Sequence, residues 1–446
     1  MRIAPRKQIL LVAFGTRGDV QPICLLARAL MDAGHAVRVA TNGDYARTVV
    51  GYGVPYVDVG LSFGKTFREA AFEKAFLERH RRPLALLGAV RRYGERMSGL
   101  MPGVLARLAE EVRAADLVVY TTLGWFAGAL AEEASVPSVF VAYQPLEPTG
   151  RFSSVLMSGR DFGAPLNRLS YELMRGASLL TWGAVRRFRR ETGMGRRLRP
   201  WTSPVGLALA QSHQIRAYSP VLAEPIPDAG ATETGFWLRE TRPDEALPES
   251  VEQFLAAGPP PVYVGFGSML WGAKRNTRIV MEALALWGGR AIVATGIGGL
   301  ARPEIVPPGV LFVGNLPHTL LFPRVAAAVH HGGAGTTAQA LACGLPCVIL
   351  PVASDQLFWG RAVAARGAAE APIPITRIDP ATLAARIARA TTDQGLRTAA
   401  RGLGAILTAE PGLRGAVARI EAMLTREGAA DPLGSAAPGI RSEPVS

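Results

Sequence analysis

Short apolar runs rich in branched residues alternate along this chain with segments whose apolar positions recur at helical spacing. Residues 9–14 form one such run and predict a buried strand. Over 20–33, Ile23, Leu26, Ala27 and Leu30 fall on one face, and Gly34 stands where a helix would stop. Residues 36–40, 117–121 and 139–143 read as further strands. Strands separated by helical patterns imply βαβ units and a parallel sheet.

A second series starts beyond residue 250. It predicts strands at 262–266, 291–295, 310–313, 326–330 and 348–350, with helices at 277–286, 336–343 and 356–365. The expected fold is therefore α/β, with two doubly wound, Rossmann-like parallel-sheet domains facing a central cleft. The expected boundaries are an N-terminal domain over 1–222 and a linker over 223–260 rich in Pro, Asp, Glu and Thr. A C-terminal domain over 261–427 and a disordered tail over 428–446 complete the division. Residues 61–205 are less regular and carry no repeat.

Composition narrows the classes. The chain has 446 residues, 49% hydrophobic and 19% charged, which supplies enough apolar surface for cores and excludes disorder as the main state. Only 3 cysteines exclude a disulfide scaffold and fit a reducing cytoplasm. Cys343 and Cys347 have no accompanying metal-ligand spacing and read as small buried residues. The first apolar run ends in Gly15-Thr16-Arg17-Gly18-Asp19, so a first strand is expected rather than a signal peptide. No uncharged apolar run approaches the ~20 residues that span a bilayer. A cytoplasmic protein is expected, either free or peripheral at the inner membrane face.

Lys and Arg exceed Asp and Glu by 49 to 36, a net charge of +13. That excess admits nucleic acid, an anionic membrane surface or an anionic small molecule as partner. The basic blocks Arg79–Arg82, Arg91-Arg92, Arg186–Arg190 and Arg196–Arg199 are either solvated helix faces or a binding surface. No nucleic-acid module appears and aromatics are not interleaved with the blocks, so no nucleic-acid partner is expected.

Three segments carry candidate chemistry. His330-His331-Gly332-Gly333-Ala334-Gly335-Thr336-Thr337 follows a strand and opens a helix. Glycines let backbone approach a ligand closely, and a helix start offers unpaired N–H groups with partial positive charge. That suits a phosphate or diphosphate, with hydroxyls from Thr336 and Thr337 and an imidazole from His331. The segment is neither a Walker loop nor G-x-G-x-x-G. Next, Pro351 to Gln356 follows a strand, so Asp355 and Gln356 can meet vicinal hydroxyls at the crevice, or Asp355 can simply cap a helix. Third, Gly15 to Pro22 occupies the equivalent crevice in the first half. There Asp19 is a candidate general base and Arg17 an anion contact, or Asp19 is a capping residue; spacing alone does not separate the two.

Together these residues resemble the GT-B glycosyltransferases that use UDP- or TDP-sugars on lipophilic acceptors, notably sterol 3β-glucosyltransferases and bacterial antibiotic and macrolide glycosyltransferases. Gly15-Thr16-Arg17-Gly18-Asp19-Val20-Gln21-Pro22 matches the family's G-[ST]-R-G-D-x-x-P, and His330–Thr337 with Asp355-Gln356 matches its donor motif. Asn315-Leu316-Pro317-His318 is similar to its nucleobase-side segment, and Val264 to Met269 to its first C-terminal strand. The resemblance covers roughly residues 8–43 and 232–366.

The resemblance implies inverting O-transfer of a hexose, glucose by similarity, with Asp19 as general base. Thr16, Arg17 and Ser268 would contact the donor, and the Leu316 backbone would read the base. His331, Gly333, Gly335, Thr336 and Thr337 would hold the diphosphate, and Asp355 and Gln356 the sugar. No cofactor and no metal are implied; the UDP- or TDP-sugar is a substrate. The family's frequent histidine base is missing from the first loop, which leaves Asp19 alone there. Two other readings stay open: a GT-B epimerase or hydrolase, and a non-catalytic nucleotide-sugar-binding auxiliary protein. Acceptor, nucleotide and oligomeric state are open.

Overall fold

The computed structural model describes residues 6–62, 99–155, 157, 159–176, 182–197, 213–224, 231–267, 272–296, 299–352 and 355–427. Ser268, the block Arg79–Arg92, Arg199 and the expected tail 428–446 lie outside the described residues.

Among the described residues, twelve strands form two sheets. The first has seven strands, in the order β3-β2-β1-β4-β5-β6-β7. These are β1 (Gln8–Val12), β2 (Ala36–Thr41), β3 (Tyr56–Asp58), β4 (Leu117–Thr121), β5 (Ser138–Ala142), β6 (Gln214–Arg216) and β7 (Ala231–Glu233). The second has five, in the order β10-β9-β8-β11-β12, from β8 (Val262–Gly265), β9 (Ala291–Ala294), β10 (Val310–Val313), β11 (Ala327–His330) and β12 (Cys347–Ile349). Each of these pairings is parallel. Helices cover both faces, so central strands are buried throughout; Ile9, Leu10, Leu11 and Val12 are at most 1% exposed. This is the arrangement that the alternating pattern predicts: an α/β chain with two doubly wound parallel sheets.

In each sheet the strand order reverses once. The reversal falls between β1 and β4 in the first sheet and between β8 and β11 in the second. Crevices at such points, outside the carboxyl ends of the strands, are where doubly wound folds bind ligands. Six helices frame these crevices and the surface beside them: α1 (Arg17–Asp32), α2 (Ala164–Gly176), α3 (Trp182–Thr192), α4 (Ala334–Ala342), α5 (Gln356–Ala365) and α6 (Gly412–Glu427).

Two features differ from the plain linker-and-domain division. The stretch 223–260 contains β7, which extends the first sheet, and a helix over Glu249–Ala256. Helix α6 follows the second sheet in sequence but packs on α1 of the first, burying Ala416, Ile420, Met423 and Leu424 among Val20, Ile23, Leu26 and Leu30. The return crossing is fastened by Gly412 N–H donating to Thr234 O at 2.5 Å and by Ser219 Oγ donating to Glu410. Among the described residues no helix is long and apolar enough to cross a membrane.

Candidate functional site at the two switch points

The first loop leaves β1 through Gly15, whose φ of +126° favours glycine, and a Cβ there would lie 2.8 Å from Asp19 Cγ. Thr16 is the N-cap of α1, its Oγ1 accepting from Gly18 N–H at 3.3 Å. Asp19 closes the capping box: its Oδ2 accepts from Thr16 N–H at 2.8 Å and from Thr16 Oγ1 at 3.0 Å. The Tyr143 hydroxyl donates to the Asp19 carbonyl at 3.3 Å. Asp19 is thus a capping residue. By surface area it is half-buried, and its carboxyl is held away from water against the Thr16 end of the loop. That burial pushes the carboxyl up to about 6, against the Thr16 hydrogen bonds, which favour the ionised form. A carboxylate held near pH 6 has the proton affinity of a usable base. The cap and base readings are therefore compatible.

At the second switch point β11 ends in His330, whose Nδ1 accepts from Gly332 N–H at 3.0 Å. That bond tightens a turn in which Gly332 has φ +86°, and a Cβ there would lie 2.7 Å from Ile349 and 2.9 Å from the Gln356 carbonyl. Gly333 is the N-cap of α4 and brings no side-chain acceptor to the first turn, so the helix start presents its N–H groups. His331 stands beside this turn. Burial lowers its imidazole to about 4, so the ring is neutral at neutral pH, and its Nδ1 has no hydrogen-bond partner among the described residues. Gly267, two residues beyond β8, lies against it: a Cβ would be 3.2 Å from His331 Cε1. Both central strands of the second sheet thus deliver backbone and imidazole to one place.

The consecutive threonines separate. Thr336 is half-buried and Gly335 exposed, whereas Thr337 is fully buried, its Oγ1 without a partner among the described residues. Neighbours on a helix point about 100° apart, so one of the pair turns into the packed side. Thr337 is that one, and Thr336 is left nearer the surface.

Asp355 stands at the N-cap of α5 but has helical φ −64° and ψ −11° and makes no capping hydrogen bond. Its Oδ2 instead accepts from Trp359 Nε1 at 2.8 Å. Gln356 is buried, its Oε1 accepting from Val352 N–H at 2.8 Å. Trp359 is fully buried, with its ring 5.5 Å from Phe236 and 6.2 Å from Tyr218. Asp355 is therefore oriented by an indole locked into the junction of the two sheets. Sequence reasoning misses Trp359, although its i+4 spacing from Asp355 is a usable signal.

The two loops face one cleft. Arg17 donates from Nε to Gln21 Oε1 at 2.9 Å, and its charge acts on both Tyr263 and His318 of the second unit. Burial is the larger cause that lowers the His318 imidazole to about 3; Arg17, Arg239 and His331 add to it. Its Nε2 meets the Tyr263 hydroxyl at 3.0 Å, and its ring stacks on Phe322 at 4.3 Å. Leu316 is half-buried just ahead of it. His318 and Tyr263 escape sequence reasoning as site residues because their pairing joins positions 55 residues apart. Ser268, next to Gly267, is outside the described residues. Among those residues no group of three or more His, Cys, Asp or Glu is arranged to hold a metal ion.

Chemically, the cleft offers a carboxylate on one wall and a helix N-terminus with a neutral imidazole on the other. The Glycosyltransferase family 28 N-terminal domain matches residues 9–93, and the Erythromycin biosynthesis protein CIII-like C-terminal domain matches residues 278–423. The chain is 32% identical over 429 residues to the O-mycaminosyltylonolide 6-deoxyallosyltransferase of Streptomyces fradiae, covering 93% of this chain and 97% of that protein. It is 29% identical to a sterol 3-beta-glucosyltransferase of Arabidopsis thaliana, across 94% of this chain but 66% of the plant protein's length. In fold it is similar to the solved glycosyltransferase of kitacinnamycin, with a TM-score of 0.68 at 20% identity over 94% of this chain and 99% of that one. The calicheamicin glycosyltransferase CalG4 gives a TM-score of 0.62 at 21% identity over 96% and 99%.

Proposed function

The chain belongs to the GT-B glycosyltransferases, and on that premise we propose that it moves a hexose from a UDP- or TDP-sugar to a hydroxyl of a lipophilic acceptor, with inversion. The substrates for which the relatives are named, a sterol and a macrolide, support a lipophilic polycyclic or macrocyclic acceptor. Asp19 takes the proton of the acceptor hydroxyl as its oxygen attacks the anomeric carbon. The bond from that carbon to the diphosphate breaks on the opposite face, and the nucleoside diphosphate leaves. A single displacement inverts the centre.

The α4 N-terminus over Gly333–Gly335, His331 and Thr336 meet the charge that grows on the leaving diphosphate. Because that charge is larger in the transition state than in the bound donor, these donors lower the barrier more than they tighten ground-state binding. Neutral His331 serves as a hydrogen-bond donor rather than a fixed charge. Thr337 supports the helix from its packed side. Asp355 and Gln356 hold sugar hydroxyls, Thr16, Arg17 and Ser268 add donor contacts, and the Leu316 backbone meets the base. On the same reading the chain divides near 1–222, 223–260 and 261–427, with α6 returning to the first domain.

The observation that carries this reading is Asp19: a carboxyl raised to about 6, at the switch point of one sheet, in a loop whose Arg17 acts on His318 across the cleft. The test incubates the protein with UDP-glucose or TDP-glucose and a panel of sterol, polyketide and phenolic acceptors. Acceptor-dependent nucleoside diphosphate and a hexose mass increment are expected. Diphosphate release without acceptor would favour a hydrolase, and binding without turnover an auxiliary protein.

A further inference from the structure

The first loop replaces one rung of its sheet with a side chain. On the β2 side β1 is paired as far as Val12 opposite Ala40, and Ala13 N–H still donates to Ala40 O at 3.1 Å. In a parallel ladder the next N–H on that side belongs to Gly15, and its partner would be the carbonyl of residue 42. That carbonyl already accepts from Tyr45 N–H at 3.0 Å, in the tight turn over Gly43–Tyr45 that follows β2. The Asn42 side chain takes its place: Oδ1 accepts from Gly15 N–H at 3.2 Å.

Asn42 is 0% exposed, and its partners fix which way the amide points. Nδ2 donates to Asp44 Oδ2 at 3.1 Å, which leaves the oxygen for Gly15. Asp44 Oδ1 in turn accepts from Ser62 Oγ at 3.0 Å, and Gly43 N–H donates to Leu61 O at 2.8 Å. The turn that carries Asn42 is therefore tied down on its far side, and Asn42 joins it to the loop.

Gly15 is where a shift of the loop reaches the carboxyl. A Cβ placed on it would lie 2.8 Å from Asp19 Cγ and 3.0 Å from Leu123 Cδ1. The bonds from Thr16 to Asp19 and from Gly18 to Thr16 are internal to the loop and move with it. Tyr143, remote in sequence, meets the Asp19 carbonyl and not the carboxyl; burial first, then the Asp19 charge, keeps its hydroxyl protonated. Arg17 is turned to Gln21 Oε1. The Asn42 bond thus ties the Gly15 end of the loop to the neighbouring strand's turn.

We propose that Asn42 is a positioning residue for Asp19: by standing in for a strand carbonyl it holds the Gly15 backbone, and through it the carboxyl, at the switch-point crevice. That this placement serves proton removal rests on the reading under Proposed function; the placement itself does not.

The test compares Asn42→Ala with Asn42→Asp in the full chain. Alanine removes the acceptor. Aspartate restores it, and a proton shared with Asp44 restores the donor, because two carboxylates about 3 Å apart do not both ionise at about pH 6. Carbon-13 NMR of aspartate-labelled protein follows the Asp19 carboxyl, identified by its loss in Asp19→Asn, and nucleotide release gives kcat. In Asn42→Ala the Asp19 titration should fall by about one pH unit or more, from about 6 toward 3.8, as water reaches the freed carboxyl. Its kcat should fall about tenfold or more, and Asn42→Asp should recover to within about threefold of wild type at about pH 6. A merely structural role would lower the thermal midpoint and leave the titration in place. Should Asn42→Ala not fold, Asn42→Ser, with a hydroxyl too short to span both partners, carries the same comparison. An unmoved Asp19 titration without the acceptor, or Asn42→Asp as impaired as Asn42→Ala, overturns the proposal. Normal turnover by Asp19→Asn would remove the base reading, while a displaced Asp19 titration in Asn42→Ala would still give Asn42 its role.

Discussion

Replacing Asp19 by Asn separates the two roles of that carboxyl. The amide keeps an oxygen that can accept from the Thr16 N–H, so the capping box loses little. What changes is charge. Raising a carboxyl from 3.8 to about 6 corresponds, at about 1.36 kcal/mol per pH unit, to roughly 3 kcal/mol at most by which the fold disfavours the ionised form. Residual solvent contact at this half-buried residue reduces the figure. The sign follows from the direction of the shift. Below pH 4 both folded and unfolded chains are protonated, and no penalty is felt. Between about 4 and 6 the unfolded chain ionises first and the wild type loses stability; above 6 the loss is complete. The amide carries no such penalty, so Asp19→Asn should be as stable as the wild type at pH 4 and more stable at pH 7.5. Activity should go the other way. Turnover should fall by about two to four orders of magnitude, the usual contribution of a general base, and the wild-type rate should drop as pH falls through about 6. Thermal midpoints at the two pH values and kcat/KM from nucleotide release read both effects. Turnover within about threefold of wild type would refute the base assignment; a stability gap independent of pH would refute the burial argument.

Other substitutions probe the opposite wall and the frame. His331→Ala should raise donor KM and lower kcat together by about tenfold or more, because the imidazole acts mainly on the departing diphosphate; unchanged donor kinetics would remove His331 from that site. Trp359→Phe keeps an aromatic ring in the junction but releases Asp355, so donor KM should rise severalfold while the acceptor KM holds; an equal change in both would mean that the junction has moved instead. Glu147→Gln should cost about 3 kcal/mol in urea unfolding, since among the described residues it leaves Arg216, which is 0% exposed, with only the partly exposed Glu233 as carboxylate partner. A cost below about 1 kcal/mol would show that the pair is compensated elsewhere.

Hydrophobic periodicity alone is enough to determine two parallel α/β sheets. Runs buried on both faces, such as Ile9–Val12 and Val262–Val264, admit few alternatives once helices separate them. The glycine segment is equally legible, because Gly332 is required by its own φ and by Ile349 behind it. Chemistry carried by single residues is less so. Spacing leaves Asp19 either a cap or a base. The structure shows the cap and also the burial that raises the proton affinity on which the base proposal rests, and it sets Tyr143, remote in sequence, against the Asp19 carbonyl. For Asp355 the cap reading gives way to a hydrogen bond with Trp359, whose position is fixed by Phe236 and Tyr218.

Which faces meet is settled by the three-dimensional packing and not by local pattern. An amphipathic pattern states that α6 has an apolar side, but not that it returns to cover α1 rather than the sheet that precedes it. In α2 the same rule points the wrong way: pattern alone would bury Leu166, Leu169 and Leu173. The fold buries Asn167 and Ser170 instead, because the carbonyls and amides of the 150–163 loop need partners inside the protein. Local sequence sets the period of an element, whereas long-range hydrogen bonding and packing choose the side that turns inward.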